Sequence, residues 1–276
     1  MNDLICPNCK ASASLPLGMS CNDHRPVMVH GDDLIAAAVT VRVAQEAIFG
    51  EDVPVGGGGG TNKTITEHPA KWSQPVLDII EHLPLHGLAL DPFAGVGLSR
   101  LSAALPGCAV IGVDIQREWI GKDGITASAD CLPFPDGVID AIVTSPPYGN
   151  RMADRHNAKD ASRRVTYFHT LVRCGGEPHP GNYGFKQWGS QYREAMRACI
   201  GEMYRVLRPG GTFAINMSDH IRAGRIEKVC DWWVDALEDA GLLTASSMAI
   251  PTQRMRWGQN GAKRVDHETL LIGAKQ

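Results

Sequence analysis

Three features of this 276-residue chain predict an α/β fold with a mostly parallel sheet. Short apolar runs bounded by turn residues recur at the length of buried strands, and amphipathic helical segments alternate with them. Two of the runs end in distinctive motifs. Leu88-Ala89-Leu90-Asp91 passes into Pro92-Phe93-Ala94-Gly95-Val96-Gly97, and Gly137 to Val143 passes into Thr144-Ser145-Pro146-Pro147-Tyr148. The third feature is a series of acids at expected strand ends: Asp91, Asp114 and Asp130. Open α/β sheets bind ligands beyond the carboxyl ends of their strands, so motifs and acids converge on one edge.

Residues 1–50 read as a small module and residues 51–63 as a linker with five consecutive glycines, leaving 64–276 as the main domain. Cys6-x2-Cys9 is followed, after an 11-residue gap, by Cys21-x2-His24. Zn2+ takes four S or N ligands in a tetrahedron, and two such pairs on a short loop supply them. The spacing therefore predicts a structural Zn2+ on Cys6, Cys9, Cys21 and His24, with His30 as an alternative fourth ligand. Cys108, Cys131, Cys174, Cys199 and Cys230 lack this spacing and read as small core residues. A helix is expected from about Asp32 to Phe49.

In the main domain, an amphipathic segment opens at Glu67-His68-Pro69-Ala70-Lys71-Trp72 and runs to His82. After the Leu88–Asp91 strand, Gly95 and Gly97 let backbone amides approach a ligand, and a helix from about Leu98 to Leu105 adds partial positive charge at its N-terminus. A dinucleotide site would place a third glycine where Arg100 stands, and no Lys-Ser/Thr completes a phosphate loop. Asp91 would repel a pyrophosphate and suits a cationic, amine-bearing ligand. The strand Ala109–Val113 leads to Asp114, where acids bind ribose hydroxyls in nucleotide folds. Asp130 stands at a further expected strand end, placed to accept from an adenine amino group.

Two prolines fix φ near −65° and push the residues before them out of helical geometry, so Ser145 sits in a stiff extended turn. The turn offers acceptors, the Pro146 carbonyl and the Ser145 hydroxyl, beside the flat ring of Tyr148. Acceptors next to a stacking face suit a planar ring that carries an exocyclic NH2.

The quintet Thr144–Tyr148 resembles the catalytic motif of S-adenosylmethionine-dependent DNA amino-methyltransferases in its Ser-Pro-Pro-Tyr form, and the resemblance runs from about Thr64 to the C-terminus. It implies a Rossmann-like class I methyltransferase domain. Asp91, Pro92, Phe93, Ala94, Gly95 and Gly97 would bind the methionine part of the cofactor, Asp114 and Ile115 its ribose, and Asp130 and Cys131 its adenine. Ser145, Pro146, Pro147 and Tyr148 would hold the target base, and the helix opened by Glu67–Trp72 would close over the cofactor. Only 46 residues separate Gly97 from Thr144, so no large recognition domain lies between the motifs. Relatives with Asp in place of Ser145 mostly act on adenine N6 and those with Ser more often on cytosine N4, so cytosine N4 is the expected target and adenine N6 the alternative.

Nucleic acid is expected on an insertion at 149–190, where Arg151, Arg155, Lys159, Arg163, Arg164 and Arg173 outnumber Asp154 and Asp160. Tyr167, Phe168, Tyr183, Phe185 and Trp188 are interleaved or follow. Basic groups neutralise phosphates, and aromatics stack on extruded bases. A second basic cluster, Arg254, Arg256, Lys263 and Arg264, surrounds Trp257. With a net charge of −3, any such surface is local. The remainder reads as scaffold: a helix over Tyr192–Val206 ending in a turn at Arg208–Gly211, a strand over Thr212–Met217, a helix over Arg225–Ala240 and a strand over Glu268–Gly273. His220 reads as structural.

The hydrophobic content is 43%, ordinary for a globular core. No apolar run approaches the ~18 residues a membrane span needs, and no signal peptide opens the chain, so a cytoplasmic, reducing location is expected. DNA is the expected partner, with RNA as an alternative; a nucleic-acid-binding protein with a vestigial methyltransferase fold is the non-catalytic alternative. The absence of a Pro-Cys nucleophile argues against cytosine C5 chemistry.

Overall fold

A computed structural model describes residues 72–120, 124–149, 177, 179–222, 224–252 and 265–276, with the backbone of four short N-terminal strands. Those strands form two antiparallel ladders, Asn2–Ile5 with Ser12–Leu15 and Cys21–Asn22 with Arg25–Pro26. Cys6, Cys9 and His24 lie outside the described residues, as do the Asp32–Phe49 helix, the linker and Glu67 to Lys71; Cys21 is described by its backbone alone.

The main sheet contains β1 (Gly87–Asp91), β2 (Cys108–Asp114), β3 (Ile125–Thr126), β4 (Ile139–Thr144), β5 (Leu207–Met217), β8 (Leu242–Pro251) and β9 (His267–Lys275). A separate hairpin joins β6 (His220–Arg222) to β7 (Arg225–Glu227). Across the sheet the order is β8-β9-β5-β4-β1-β2-β3, with β9 running antiparallel to the other six strands. The chain winds outward from β1 through β2 to β3, then returns beside β1 as β4 and winds the other way. That reversal between β1 and β4 makes the crevice where open sheets bind ligands.

Alternation along the strands divides the core in two. Leu88, Leu90, Ile142, Phe213 and Ile215 face α4 (Ser190–Val206) and α5 (Val229–Asp239). Ala89, Val110, Ala141, Val143 and Ala214 face α1 (Gln74–Glu81) and α2 (Leu98–Ala104). Pro75 in the first turn of α1 suits a helix start, where its missing N–H has no partner to lose. In α4, Tyr192, Met196, Cys199, Ile200, Met203 and Val206 form one buried stripe. One turn of α3 (Arg117–Ile120) buries Trp119 and Ile120. The described Cys108, Cys199 and Cys230 are buried in this core, as expected, and Cys131 is partly buried.

Three expectations need correction. Arg208 to Gly211 is a bulge inside β5 rather than a turn before it. The partner of Ile139 is Leu207 and that of Ala141 is Thr212, so four residues loop out, helped by Gly210 at φ 71°. Asp140 anchors the bulge by accepting from Arg208 Nε at 2.6 Å and from the Leu88 N–H at 2.8 Å. The helix expected from Arg225 begins at Val229, because Gly224 at φ 76° folds Arg225–Glu227 back onto His220–Arg222. Asp130 does not end a strand: β3 stops at Thr126, and Asp130 lies exposed in the turn that follows.

Candidate active site at the strand switch point

Asp91, the last residue of β1, is 1% exposed. Its Oδ1 accepts from Thr144 Oγ1 at 2.6 Å and from the Phe93 N–H at 3.0 Å. Thr144 ends β4, so this bond ties the tips of the two central strands together across the crevice. Among the described residues nothing donates to Asp91 Oδ2. Burial pushes the carboxyl up to about 7; the two hydrogen bonds oppose the rise, and the charge of Asp114 adds to it. A buried acid with one free oxygen is the place for a cationic ligand.

The glycine-rich turn wraps around this acid. Gly95 has φ 50°, and its N–H donates to Asp114 Oδ2 at 2.9 Å. The Ala94 N–H donates to the Val113 carbonyl at 2.9 Å, so the turn is fastened to the end of β2. A Cβ at Gly97 would come within 2.8 Å of Trp72 Cδ1, which explains glycine there. Arg100 donates to the Trp72 carbonyl at 2.9 Å and to Gln74 Oε1 at 3.0 Å, fixing the entry to α1 over the turn. Asp114 Oδ1 accepts from the Gln116 N–H at 2.7 Å, and burial raises this acid to about 6.

Gln116, 2% exposed, donates to Glu118 and to the Glu177 carbonyl and accepts from the His179 N–H at 2.9 Å. It thereby pins the segment after the 149–176 stretch to the Asp114 corner. Tyr183 corrects a further expectation: it does not stand free to stack on a base. It is 9% exposed, its hydroxyl meets Ser128 Oγ at 3.5 Å and bonds the Asp130 carboxylate, and its ring lies edge-on to Phe93 at 6.4 Å. Tyr183 thus joins the Asp130 turn to the glycine-rich turn. Cys131 donates its N–H to the Ser128 carbonyl at 3.0 Å, and Gly181 packs on Ile115. Arg205 clamps the loop behind Asp130, bonding the Leu132 and Phe134 carbonyls and Glu202, whose Oε2 accepts from the Leu132 N–H.

On the β4 side, Ser145 Oγ and Tyr148 OH lie 2.8 Å apart. Pro146 is buried, and among the described residues no backbone N–H donates to its carbonyl. The neighbouring Pro147 carbonyl accepts from Tyr192 OH at 2.6 Å, and Trp233 Nε1 donates to that hydroxyl at 3.1 Å, so α4 and α5 hold the turn from below. Gly149, φ 70°, ends the turn; its carbonyl accepts from the Trp188 N–H at 2.7 Å. Asn216, 2% exposed on β5, donates through Nδ2 toward Tyr148 OH at 3.3 Å and Ser145 Oγ at 3.5 Å.

The structure therefore brings the 91–97 turn, Asp114, Asp130 and the Ser145–Tyr148 turn to one edge. Arg151, Arg155, Arg163, Arg164, Arg254 and Arg256 lie outside the described residues. Sequence reasoning missed Asn216, Gln116 and the Arg205 clamp. For Asn216 the signal was a lone polar residue in the otherwise apolar run Phe213-Ala214-Ile215-Asn216-Met217 that ends the strand.

Because Asp91 is raised in the folded state, its protonated form contributes stability below the unfolded value of 3.8, and that contribution is lost as pH rises through about 7. Asp91→Asn keeps an acceptor for Thr144 and Phe93 without the buried charge. In thermal melts it should gain roughly 2–4 °C over wild type per kcal/mol near pH 8, and the gap should narrow as pH falls, closing below about 4. An equal gap at both pH values would contradict the buried, raised carboxyl.

Among known families, a model described as a DNA methylase of the N6/N4 methyltransferase type matches residues 139–276, from β4 to the C-terminus. Comparison with curated proteins gives no match. Among solved structures, the 1,6-didemethyltoxoflavin-N1-methyltransferase of Burkholderia thailandensis, which holds S-adenosylhomocysteine, is 14% identical, with 97% of this chain and 96% of that one covered and a TM-score of 0.43. An S-adenosylmethionine-dependent methyltransferase of Methanosarcina mazei is 16% identical over 72% of this chain and 96% of its own, TM-score 0.44. A 16S rRNA (adenine(1408)-N(1))-methyltransferase from Catenulisporales acidiphilia is 14% identical over 74% and 91%, TM-score 0.37. With half of its length matched by the family model, a half that begins at the strand carrying the Ser145–Tyr148 turn, the chain belongs to the N6/N4 DNA methylase family.

Proposed function

We propose that the chain methylates the exocyclic amine of a base extruded from DNA, with cytosine N4 as the target and adenine N6 as the alternative. The observation that carries this reading is the Thr144–Asp91 hydrogen bond, which sets an amine-accepting turn directly against a buried acid suited to a cationic cofactor. The donor set fits S-adenosylmethionine: Asp91 has a free oxygen for an ammonium, Asp114 stands at the end of the second strand for ribose hydroxyls, and Asp130 is exposed in the next turn for adenine. Bound there, the cofactor supplies an electrophilic methyl group.

An exocyclic amine is a poor nucleophile while its lone pair is delocalised into the ring. The Ser145 hydroxyl and the Pro146 carbonyl each accept one amine hydrogen and so turn the lone pair toward the methyl donor. This is positioning and electrostatics, with no covalent intermediate. Ser145 is a weak base, so the proton leaves after transfer, to Ser145, the carbonyl or water. Tyr148 stacks on the extruded base. Arg151, Arg155, Arg163 and Arg164, with Arg254 and Arg256, are assigned to phosphates.

Ser145→Ala and Tyr148→Ala should each lower methyl transfer by about a hundredfold or more while leaving S-adenosylmethionine affinity within a few-fold. Wild-type turnover in either variant would remove the turn from the mechanism. Nucleoside mass spectrometry after incubation with duplex DNA, tRNA or rRNA identifies the product. N4-methylcytosine in DNA is the expected result; N6-methyladenine overturns the base assignment, and product in RNA alone overturns the substrate.

The structural Zn2+ on Cys6, Cys9, Cys21 and His24 is likewise a proposal, resting on the Cys-x2-Cys and Cys-x2-His spacing. A module so small gains its fold from the metal, and a closed four-ligand site leaves no position open for catalysis. Chelation should therefore release about one Zn per chain and leave cofactor affinity unchanged. Protein purified without chelator that carries no zinc would defeat this assignment.

A further inference from the structure

Two pairs of arginines meet at Trp188, and the fold explains neither. Arg193 and Arg197 stand four residues apart on α4, where side chains are neighbours and like charges are destabilising. Arg222 and Arg225 face each other across the β6–β7 ladder, where like charges directly opposite are also destabilising. Glu194 and Glu227 are close in the chain, but among the described residues no carboxylate pairs with any of the four guanidinium groups. Arg193, Arg197 and Arg225 donate no side-chain hydrogen bond among them either.

The aromatic cluster beside α4 holds these charges in place. The Trp188 and Trp232 rings pack edge-on, with centroids 5.6 Å apart. The Arg193 guanidinium lies 5.4 Å from the Trp188 centroid, and that of Arg197 lies 5.3 Å from the Trp232 centroid. A guanidinium over a ring is held by its face, so its N–H edge stays available. Arg222 donates to the Trp188 carbonyl at 2.6 Å and to Gln187 Oε1 at 2.8 Å, which ties the hairpin to the same segment. Arg197, Arg222 and Arg225 are exposed, and Arg193 is partly buried. The result is a fixed group of cations on a chain whose net charge is −3.

Their position indicates the anion they serve. The Trp188 N–H donates to the Gly149 carbonyl at 2.7 Å, one residue past Tyr148. Tyr192, next to Arg193, donates to the Pro147 carbonyl at 2.6 Å. The arginines therefore border the turn assigned above to the extruded base. A base leaves the stack by rotation about its own backbone, so the phosphates on either side of it lie beside that turn. Each DNA strand carries one phosphate per ~3.4 Å of helix axis, a row that spaced guanidinium groups can follow.

We propose that Arg193, Arg197, Arg222 and Arg225 form a phosphate-binding surface for the strand that carries the target base, oriented by Trp188 and Trp232. The choice of DNA rests on the base-methylation reading above. Phosphates seated there turn both like-charge pairs from repulsion into shared attraction. The surface is distinct in sequence from the basic clusters at 151–173 and 254–264.

The test measures the Kd of the full chain for a fluorescently labelled duplex of mixed sequence, with saturating S-adenosylmethionine, from about 50 to about 200 mM KCl. Arg197→Gln/Arg225→Gln should bind at least about tenfold more weakly at about 100 mM salt, and the slope of log affinity against log salt should flatten by about 2. Arg197→Lys/Arg225→Lys keeps both charges and should keep the wild-type slope. Both variants should bind S-adenosylmethionine as wild type does in calorimetry. An unchanged slope in the glutamine variant overturns the proposal, as does a loss that the lysine variant shares in full. If the glutamine variant fails to bind cofactor, Arg225→Gln alone decides: a slope flatter by about 1 supports the surface, and no change overturns it. Tighter, equally arginine-dependent binding of tRNA would give the surface to RNA and overturn the proposal. DNA binding with the expected slopes but no methyl transfer by wild type would instead overturn the base-methylation reading and leave the surface standing.

Discussion

One short hydrogen bond, Thr144 Oγ1 to Asp91 Oδ1 at 2.6 Å, joins the two halves of the crevice. Both residues are all but inaccessible to water, at 0% and 1% exposure, so the bond forms where an unpaired carboxylate is costly. It orients the acid, leaves its second oxygen free, and sets where the Ser145–Tyr148 turn begins. The parallel pairing of β1 with β4 makes this possible, because parallel neighbours bring both carboxyl ends to the same edge. The winding reversal between these strands opens the crevice in which the pair stands.

Supporting contacts come from every layer. Tyr192 and Trp233 brace the Pro147 carbonyl from α4 and α5, Arg205 clamps the loop behind Asp130 from the far end of α4, and Arg100 on α2 fixes the entry to α1. Each side chain belongs to a packed helix, so the loops of the site inherit the rigidity of the core. Gln116 and Tyr183 extend the arrangement to the segment at 177–185, which belongs to the wall beside Asp114 and Asp130 and not to a free nucleic-acid surface.

Most of the sheet was legible in the sequence because buried parallel strands are largely apolar runs, as in Leu88–Leu90 and Ala141–Val143. The glycine turn and the proline turn were legible because few residues tolerate those backbone conformations. What escaped was set by tertiary pairing. The bulge at Arg208–Gly211 exists because Asp140 and Leu207 fix the register of β5 on β4, which a Pro-Gly-Gly string does not reveal. The β6–β7 hairpin displaced the first turn of an expected helix because Gly224 reverses the chain there. Asn216 was half hidden for a similar reason: its lone polar side chain marks it locally, but its partners Ser145 and Tyr148 lie about seventy residues away in the turn after β4.

Electrostatics connects the strand-tip bond to function. The Thr144 hydroxyl holds Asp91 lower than burial alone would place it, and a cationic cofactor needs that carboxyl ionised. S-adenosylmethionine affinity should accordingly rise with pH through about 7. The most direct test is calorimetric affinity for S-adenosylmethionine as a function of pH in wild type and in Thr144→Val, which keeps the shape and deletes the hydroxyl. Removing that bond should move the midpoint of the pH dependence upward, because nothing then offsets the burial of Asp91 from the β4 side. An unchanged midpoint would contradict the claim that this bond couples the two halves of the site.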